Sequence, residues 1–286
     1  MLFMDAANDY IRYLQITEYS KQTSSGYYKQ IKYFYRYLSS KYNCPLYIED
    51  ITISDIEDYL DFLKNKGDAA CSRARFIYIL RAFYNYMNKK KMISKNIPAE
   101  INTIKYTQKE RVYLTEEELV ELIETITHPI VRVSVQTIYY TGLRISECIN
   151  LKTDDIDFYN NVIYVREGKG RKNRNIPMSN KLRQLLQEYS KTYRNCVEST
   201  YFFATKKTGS ISACYINRII GDAALKLGWT KKVSAHTLRH SFASNLVKHN
   251  VNIVSVQKLL GHSSLKSTSI YTHCSMEELY ETVNLL

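Results

Sequence analysis

Hydrophobic positions recur at helical spacing through most of the chain, and they do so in separate blocks. In the second predicted helix Tyr27, Tyr28, Ile31, Phe34, Tyr35 and Leu38 form one apolar face, which turns Lys29, Lys32 and Arg36 outward. Ser54 to Glu57 has the spacing of a capping box, with Ile56, Tyr59, Leu60 and Leu63 following in period. Phe76, Ile77, Leu80, Phe83 and Tyr84 predict a fourth helix from about Cys71 to Lys91, with Arg73, Arg75 and Arg81 among them. Pro98 ends this pattern. Residues 102–114, NTIKYTQKERVYL, are polar and without a period, and their Lys105, Lys109 and Arg111 make a basic linker.

The pattern resumes at Thr115 to Glu118, a second capping box that leads Leu119, Leu122 and Ile123. A largely apolar run from Ile130 to Tyr140 predicts a buried helix, and Gly142 breaks it. The next helix turns Ile145, Cys148, Ile149 and Leu151 inward. Val162 to Val165 then alternates as a strand, paired with a second strand around Asn175 to Met178, and the turn between them carries Lys169, Arg171, Lys172 and Arg174 beside Gly168 and Gly170. Helices over Lys181 to Tyr189 and Ser210 to Leu227 flank a short apolar run, Tyr201-Phe202-Phe203. Leu238, Phe242, Leu246, Ile253, Val256, Leu259 and Leu260 place three successive helices between His236 and Tyr271, with turns at His249-Asn250 and Gly261-His262. A short amphipathic tail follows, with Leu279, Tyr280, Val283 and Leu286 on one side. The expected fold is therefore mainly α, in two domains. A four-helix domain occupies 1–101, a basic linker 102–114, and a mostly helical domain with a small β-hairpin sheet and a tail helix 115–286.

Composition adds a partner class. The formal charge is +12, divided as +5 over residues 1–105 and +7 over the remainder, so both parts are suited to the same polyanion. A solvated basic surface is the plain alternative. No apolar run reaches the ~18 residues of a membrane span, and the N-terminus lacks the basic start of a signal peptide, so a cytoplasmic protein with no membrane partner is expected. The six cysteines are scattered without metal-ligand spacing, which predicts reduced thiols, mostly in the core. The glycines fit neither the NTPase loop nor the dinucleotide fingerprint, so ATP use is not indicated.

The polar residues left on these elements form a phosphate-handling set. Arg144, at the threshold of a buried helix, must meet an anion or a carboxylate, and Glu147 three residues on is a supporting partner. A plain internal salt bridge between the two is the competing reading. His236 and Arg239 are neighbours on one helix face, His262 follows a glycine at a helix end, and Tyr271 comes nine residues later. With 26 tyrosines in the chain, Tyr271 stands out only by its position. His236 and His240 have zinc-helix spacing, but Thr237 stands where HExxH needs glutamate, so His240 reads as structural and no metal is expected. Asp154, Asp155 and Asp157 lie in a short polar link, where aspartates form turns, and this reading displaces that of a metal-dependent nuclease.

TGLRISE at 141–147, GKGRKNR at 168–174, HTLRHSFAS at 236–244, LLGHSS at 259–264 and the tyrosine at 271 together resemble the tyrosine recombinases of the phage integrase family, in the compact form of the Xer and transposon-resolvase types. The preceding helical unit is similar to that family's core-binding domain. The resemblance implies that Arg144, Lys169, His236, Arg239 and His262 serve a nucleophilic Tyr271. It implies cleavage and rejoining of DNA through a 3′-phosphotyrosine, with neither ATP nor metal nor any other cofactor required. It further implies double-stranded DNA with inverted-repeat core sites, a homotetrameric synapse and a C-terminal tail exchanged between protomers. Lys29, Lys32, Arg36, Arg73, Arg75, Arg81, Lys105, Lys109, Arg111, Arg171, Lys172 and Arg174 are the DNA-contact candidates. A type IB-like topoisomerase and a catalytically silent DNA-binding protein of the same fold stay open beside the recombinase.

Overall fold

A computed structural model describes residues 1–107, 112–166 and 173–261. The chain divides into two compact units, Met1–Lys109 and Glu110–Leu286, each with its own core.

The first unit holds α1 (Phe3–Ile16), α2 (Lys21–Lys41), α3 (Ile53–Asn65) and α4 (Ala70–Lys89). Its centre is aromatic: Phe3 meets Phe34 and Phe83 edge to face, and Phe34 and Tyr59 close on Phe76. The α3 cap lies two residues earlier than the sequence pattern predicts. Thr52 Oγ1 accepts from the Asp55 amide at 3.2 Å and the Asp55 carboxylate returns to the Thr52 amide at 3.0 Å. Asp55 prevails over Glu57 because it is buried and also takes bonds from Lys41 and Tyr42.

The second unit holds α5 (Glu116–Thr125), α6 (Pro129–Thr141), α7 (Ile145–Asn150), β1 (Ile156–Asp157), β2 (Val162–Val165), β3 (Arg174–Pro177), α8 (Asn180–Thr192), α9 (Ala213–Lys226), α10 (Ala235–Lys248) and α11 (Ile253–Leu260). The α5 cap is the predicted Thr115–Glu118 box. Helix α6 is central: α5, α7, α8, α9 and α10 all pack on it. Its buried Ser134, Thr137 and Thr141 satisfy themselves on carbonyls four residues back, at 2.7, 2.8 and 2.5 Å. The sheet has three antiparallel strands in the order β1-β2-β3, one more than the predicted hairpin, with Ile156 opposite Ile163 and Val165 opposite Arg174. Two aspartates of the 154–157 link hold local turns: Asp157 accepts from the amides of Tyr159 and Asn160, and Asp155 accepts from that of Lys152 while pairing with Arg166. Helix α9 starts later than Ser210, because the Ser212 hydroxyl caps the Tyr215 amide.

Two further expectations need correction. The ends of the predicted linker belong to the cores on either side: Ile104 packs on the first, and Leu114 is fully buried in the second, its amide donating to Ser241 Oγ at 2.8 Å. The cysteines are not mostly core. Cys44, Cys71, Cys196 and Cys214 are exposed on loops or first helical turns, and Cys148 alone among the described residues is buried, which pushes its thiol pKa up. Cys274 and the amphipathic tail lie outside the described residues. Among the described residues no helix is long and apolar enough to cross a membrane.

Candidate active site

The site is built where α6 ends. Gly142 closes that helix in the left-handed region (φ 64°), Leu143 turns into the core, and Arg144 stands just before α7. Glu147 secures this start twice. Its Oε2 accepts the Arg144 amide at 2.8 Å and its Oε1 accepts Arg144 Nη1 at 2.7 Å. The predicted Arg144–Glu147 pair therefore exists.

The carboxylate has a second cation. Arg174, at the start of β3, donates Nη1 to Glu147 Oε1 at 3.0 Å and Nη2 to Oε2 at 2.7 Å, a two-pronged bond of the kind that fixes orientation as well as charge. Its Nε donates to the Leu259 carbonyl at 2.9 Å. Only 11% of its side chain is exposed, and its fork is taken up by Glu147 and the Leu259 carbonyl, so Arg174 belongs to the frame of the site. Burial alone would raise the Glu147 pKa, but Arg174 first and Arg144 second reverse this and hold it down at about 2.

A carboxyl held down in the folded chain stabilises it at pH values above the unfolded value near 4.5, and that contribution is lost as pH falls toward about 2. The difference is worth roughly 3 kcal/mol. Urea midpoints at pH 7, 4.5 and 3 are expected to fall across this acid window in the wild type, and to fall less in Glu147→Gln, which has no carboxyl to protonate. Equal falls would show that Glu147 does not carry the acid sensitivity.

Arg239 comes from α10, whose start is capped by Ser234 and by Asn217, the latter accepting the Ala235 amide at 2.9 Å. It is 2% exposed. Its Nη1 donates to the Gly142 carbonyl and its Nη2 to the Leu260 carbonyl at 2.8 Å. The guanidinium thus joins the ends of α6 and α11, where the partial negative charge of a helix C-terminus favours a cation. Arg174 holds the neighbouring carbonyl of the same α11 end. Gly261 follows in the left-handed region, and a Cβ there would stand 3.0 Å from Arg174 Cδ. Gly142 has even less room, since its Cβ would lie 2.5 Å from Phe242 Cδ1 and 2.9 Å from Leu260 Cδ2.

His236 is exposed on the first turn of α10, its ring 4.5 Å from that of the buried His240 in an edge-to-face contact. Lys169, His262 and Tyr271 lie outside the described residues, as do Lys109, Arg111, Arg171 and Lys172. Of the other DNA-contact candidates, Lys29 and Arg36 are exposed on α2 and Lys32 half-buried, with Lys29 over the Tyr33 ring and Lys32 over Tyr28. Arg75 and Lys105 are exposed and Arg73 is half-buried. Arg81 is half-buried, and its guanidinium donates to the Pro98 and Ile101 carbonyls and ties the chain after α4 to its own unit. Among the described residues no cluster of His, Cys, Asp or Glu could hold a metal ion.

Sequence periodicity could have found the role of Arg174. Residues of a strand alternate in face, and Arg174 shares its side with the buried Ile176 once β3 is started one residue earlier than Asn175. The crowding at Gly142 and the Leu114–Ser241 bond had no comparable signal, because each joins distant segments.

Residues 112–278 match the phage integrase family, and residues 7–91 match the phage integrase N-terminal SAM-like domain. The chain belongs to the phage integrase family. It is 32% identical over 285 residues to the tyrosine recombinase XerC of Bacillus licheniformis, covering 96% of this chain and 93% of the relative. It is 30% identical to XerD of Staphylococcus saprophyticus, covering 96% of each. Among solved structures, the XerA recombinase has a TM-score of 0.55 at 28% identity, over 99% of this chain and 98% of that one. The Tn1549 transposon integrase in complex with a circular intermediate DNA has a TM-score of 0.81 at 20% identity over the whole of both chains, a likeness of fold. The protein is accordingly a tyrosine recombinase of the Xer-like type, an enzyme that transfers DNA strands in site-specific recombination through a tyrosine intermediate. None of these comparisons favours the topoisomerase or the silent DNA-binding reading.

Proposed function

We propose that Arg144 and Arg239 grip the scissile phosphate while Tyr271 attacks it. The observation that carries this reading is the corner at Gly142: Arg239 holds its carbonyl, and Arg144 stands two residues further on, so both arginines are tied to one turn of backbone. Negative charge builds on the nonbridging oxygens during attack, and guanidinium donors aimed at it supply the largest catalytic effect. His262 adds a donor. The Tyr271 oxygen forms the new bond to phosphorus and its proton passes to His236. The bond from phosphorus to the 5′ oxygen breaks, and Lys169 gives that oxygen a proton. A 5′ hydroxyl of another strand then reverses the chemistry, so the phosphodiester energy is conserved and no cofactor is consumed.

The assembly proposed with this chemistry is a homotetramer on paired inverted-repeat core sites in the cytoplasm, with the C-terminal tail passed between protomers. The first helical unit, the chain between Ile104 and Leu114 and the second unit then act as clamp, tether and catalyst. Resolution of replicon dimers, resolution of transposon cointegrates and integration are all uses of this same chemistry.

The test is trapping. With a core site nicked so that the cleaved fragment diffuses away, the wild type is expected to leave a covalent protein–DNA adduct on a denaturing gel, mapped by peptide mass to Tyr271. Tyr271→Phe is expected to leave none. An adduct that persists in that variant, or that maps elsewhere, would end the assignment.

A further inference from the structure

We propose that Arg174 is a positioning residue of the strand-transfer site, which keeps Arg144 both oriented and electrically available to phosphate. The inference rests on the reading of Arg144 as a phosphate-binding group. Its starting point is a conflict. Glu147 orients Arg144 from 2.7 Å, but a carboxylate paired one to one with a guanidinium also neutralises it, and a neutral pair is a poor partner for a phosphodiester. A second guanidinium on the same carboxylate removes the conflict. Two cations now share one anion, so the cluster keeps a net positive charge. Its exposure is graded towards Arg144: Glu147 is 5% exposed, Arg174 11% and Arg144 24%. The cation nearer solvent is the one placed to meet a ligand.

The geometry gives Arg174 a second task. Its Nη atoms are on Glu147 and its Nε is on the Leu259 carbonyl, so one rigid plane joins the start of β3, the start of α7 and the end of α11. Those three places border the segments that carry the other proposed groups: residues 166–173 lead into β3, and His262 follows Gly261. Close packing of Gly261 on the Arg174 stem fixes the same corner from the other side. Lysine reproduces this only in part, because its ammonium lacks the planar fork that holds both Glu147 oxygens and the Leu259 carbonyl at once.

The experiment compares single-turnover adduct formation, DNA affinity and the pH profile of cleavage in Arg174→Met, Arg174→Lys and Arg144→Ala, each checked for a cooperative unfolding transition. Arg174→Met is expected to slow adduct formation by about 10²-fold, the scale of a displaced catalytic group, while DNA affinity changes by less than about 3-fold. Its acid limb is expected to move to higher pH, because Glu147 retains one cation instead of two. Arg174→Lys is expected to recover part of the rate and most of the acid limb. A residue that only supports the fold would lower the unfolding midpoint and leave the acid limb where it was, and that result overturns the proposal. If Arg174→Met does not fold, Arg174→Lys decides: a wild-type rate with a wild-type acid limb overturns it. If Arg144→Ala is inactive while folded Arg174→Met cleaves normally, the Arg174 assignment fails alone. If Arg144→Ala itself cleaves normally, the phosphate reading of Arg144 fails and takes this inference with it.

Discussion

Replacing Arg239 with alanine is expected to lower single-turnover DNA cleavage by about 10³-fold or more and to destabilise the second unit in the same step. The two losses have one origin. The guanidinium is nearly inaccessible and donates to the carbonyls of Gly142 and Leu260, so its removal leaves two buried acceptors without their donor. Each costs about 1–3 kcal/mol when left unsatisfied, which sums to roughly 2–6 kcal/mol. Arg239→Lys keeps the charge but reaches one carbonyl, and it is expected to lie between the two, with about 10²-fold slower cleavage. Urea unfolding and adduct formation, measured on the same preparations, check both halves. An alanine variant with the wild-type unfolding midpoint would show that Arg239 does not hold the ends of α6 and α11 together.

The two halves of this result differ in how far the sequence announces them. That Arg239 is a candidate for holding phosphate is legible from a motif, because an arginine three residues after a histidine on one helix face suits that task. That it also carries a corner of the fold is not, because the carbonyls it holds are 97 and 21 residues away. The same division runs through the chain. Helices α2 and α4 follow from apolar period and α6 from a largely apolar run, since burial decides them locally. The α3 cap was misplaced because Ser54-x-x-Glu57 and Thr52-x-x-Asp55 are both adequate locally, and the choice is made by Lys41 and Tyr42 from another segment. Strand β1 escaped notice because two residues carry no period, and only pairing with β2 defines it. Arg174 reads in the sequence as a DNA-contact candidate for a related reason: a basic turn resembles any other until the acceptors that bury one member are known.

Gly142→Ala is the sharper test of how tightly the site is joined to the core, because it adds one methyl group and no change of charge. The position has φ 64°, where a Cβ costs about 1–2 kcal/mol. Here that Cβ would also overlap the Phe242 ring at 2.5 Å and Leu260 at 2.9 Å. Relieving such an overlap in a packed interior costs about 1–3 kcal/mol more, so a total of roughly 2–5 kcal/mol is expected. Gly228→Ala supplies the control: its φ is 73° and nothing lies within 4 Å of the added atom, so the backbone strain of about 1–2 kcal/mol is all that remains. The activity difference is expected to be wider than the stability difference. Phe242 lies three residues from Arg239 on α10, and Leu260 supplies one of the carbonyls that Arg239 holds. Any shift that admits the methyl group therefore moves the guanidinium and the end of α11 together, and a displacement of about 1 Å at reacting groups costs about 10²-fold in rate. Adduct formation is expected to fall by at least that factor in Gly142→Ala and to stay within about 2-fold of wild type in Gly228→Ala, whose added atom meets none of these groups. Equal activity in the two variants would mean that the crowding at Gly142 is absorbed before it reaches Arg239, and the corner would then be a feature of stability alone.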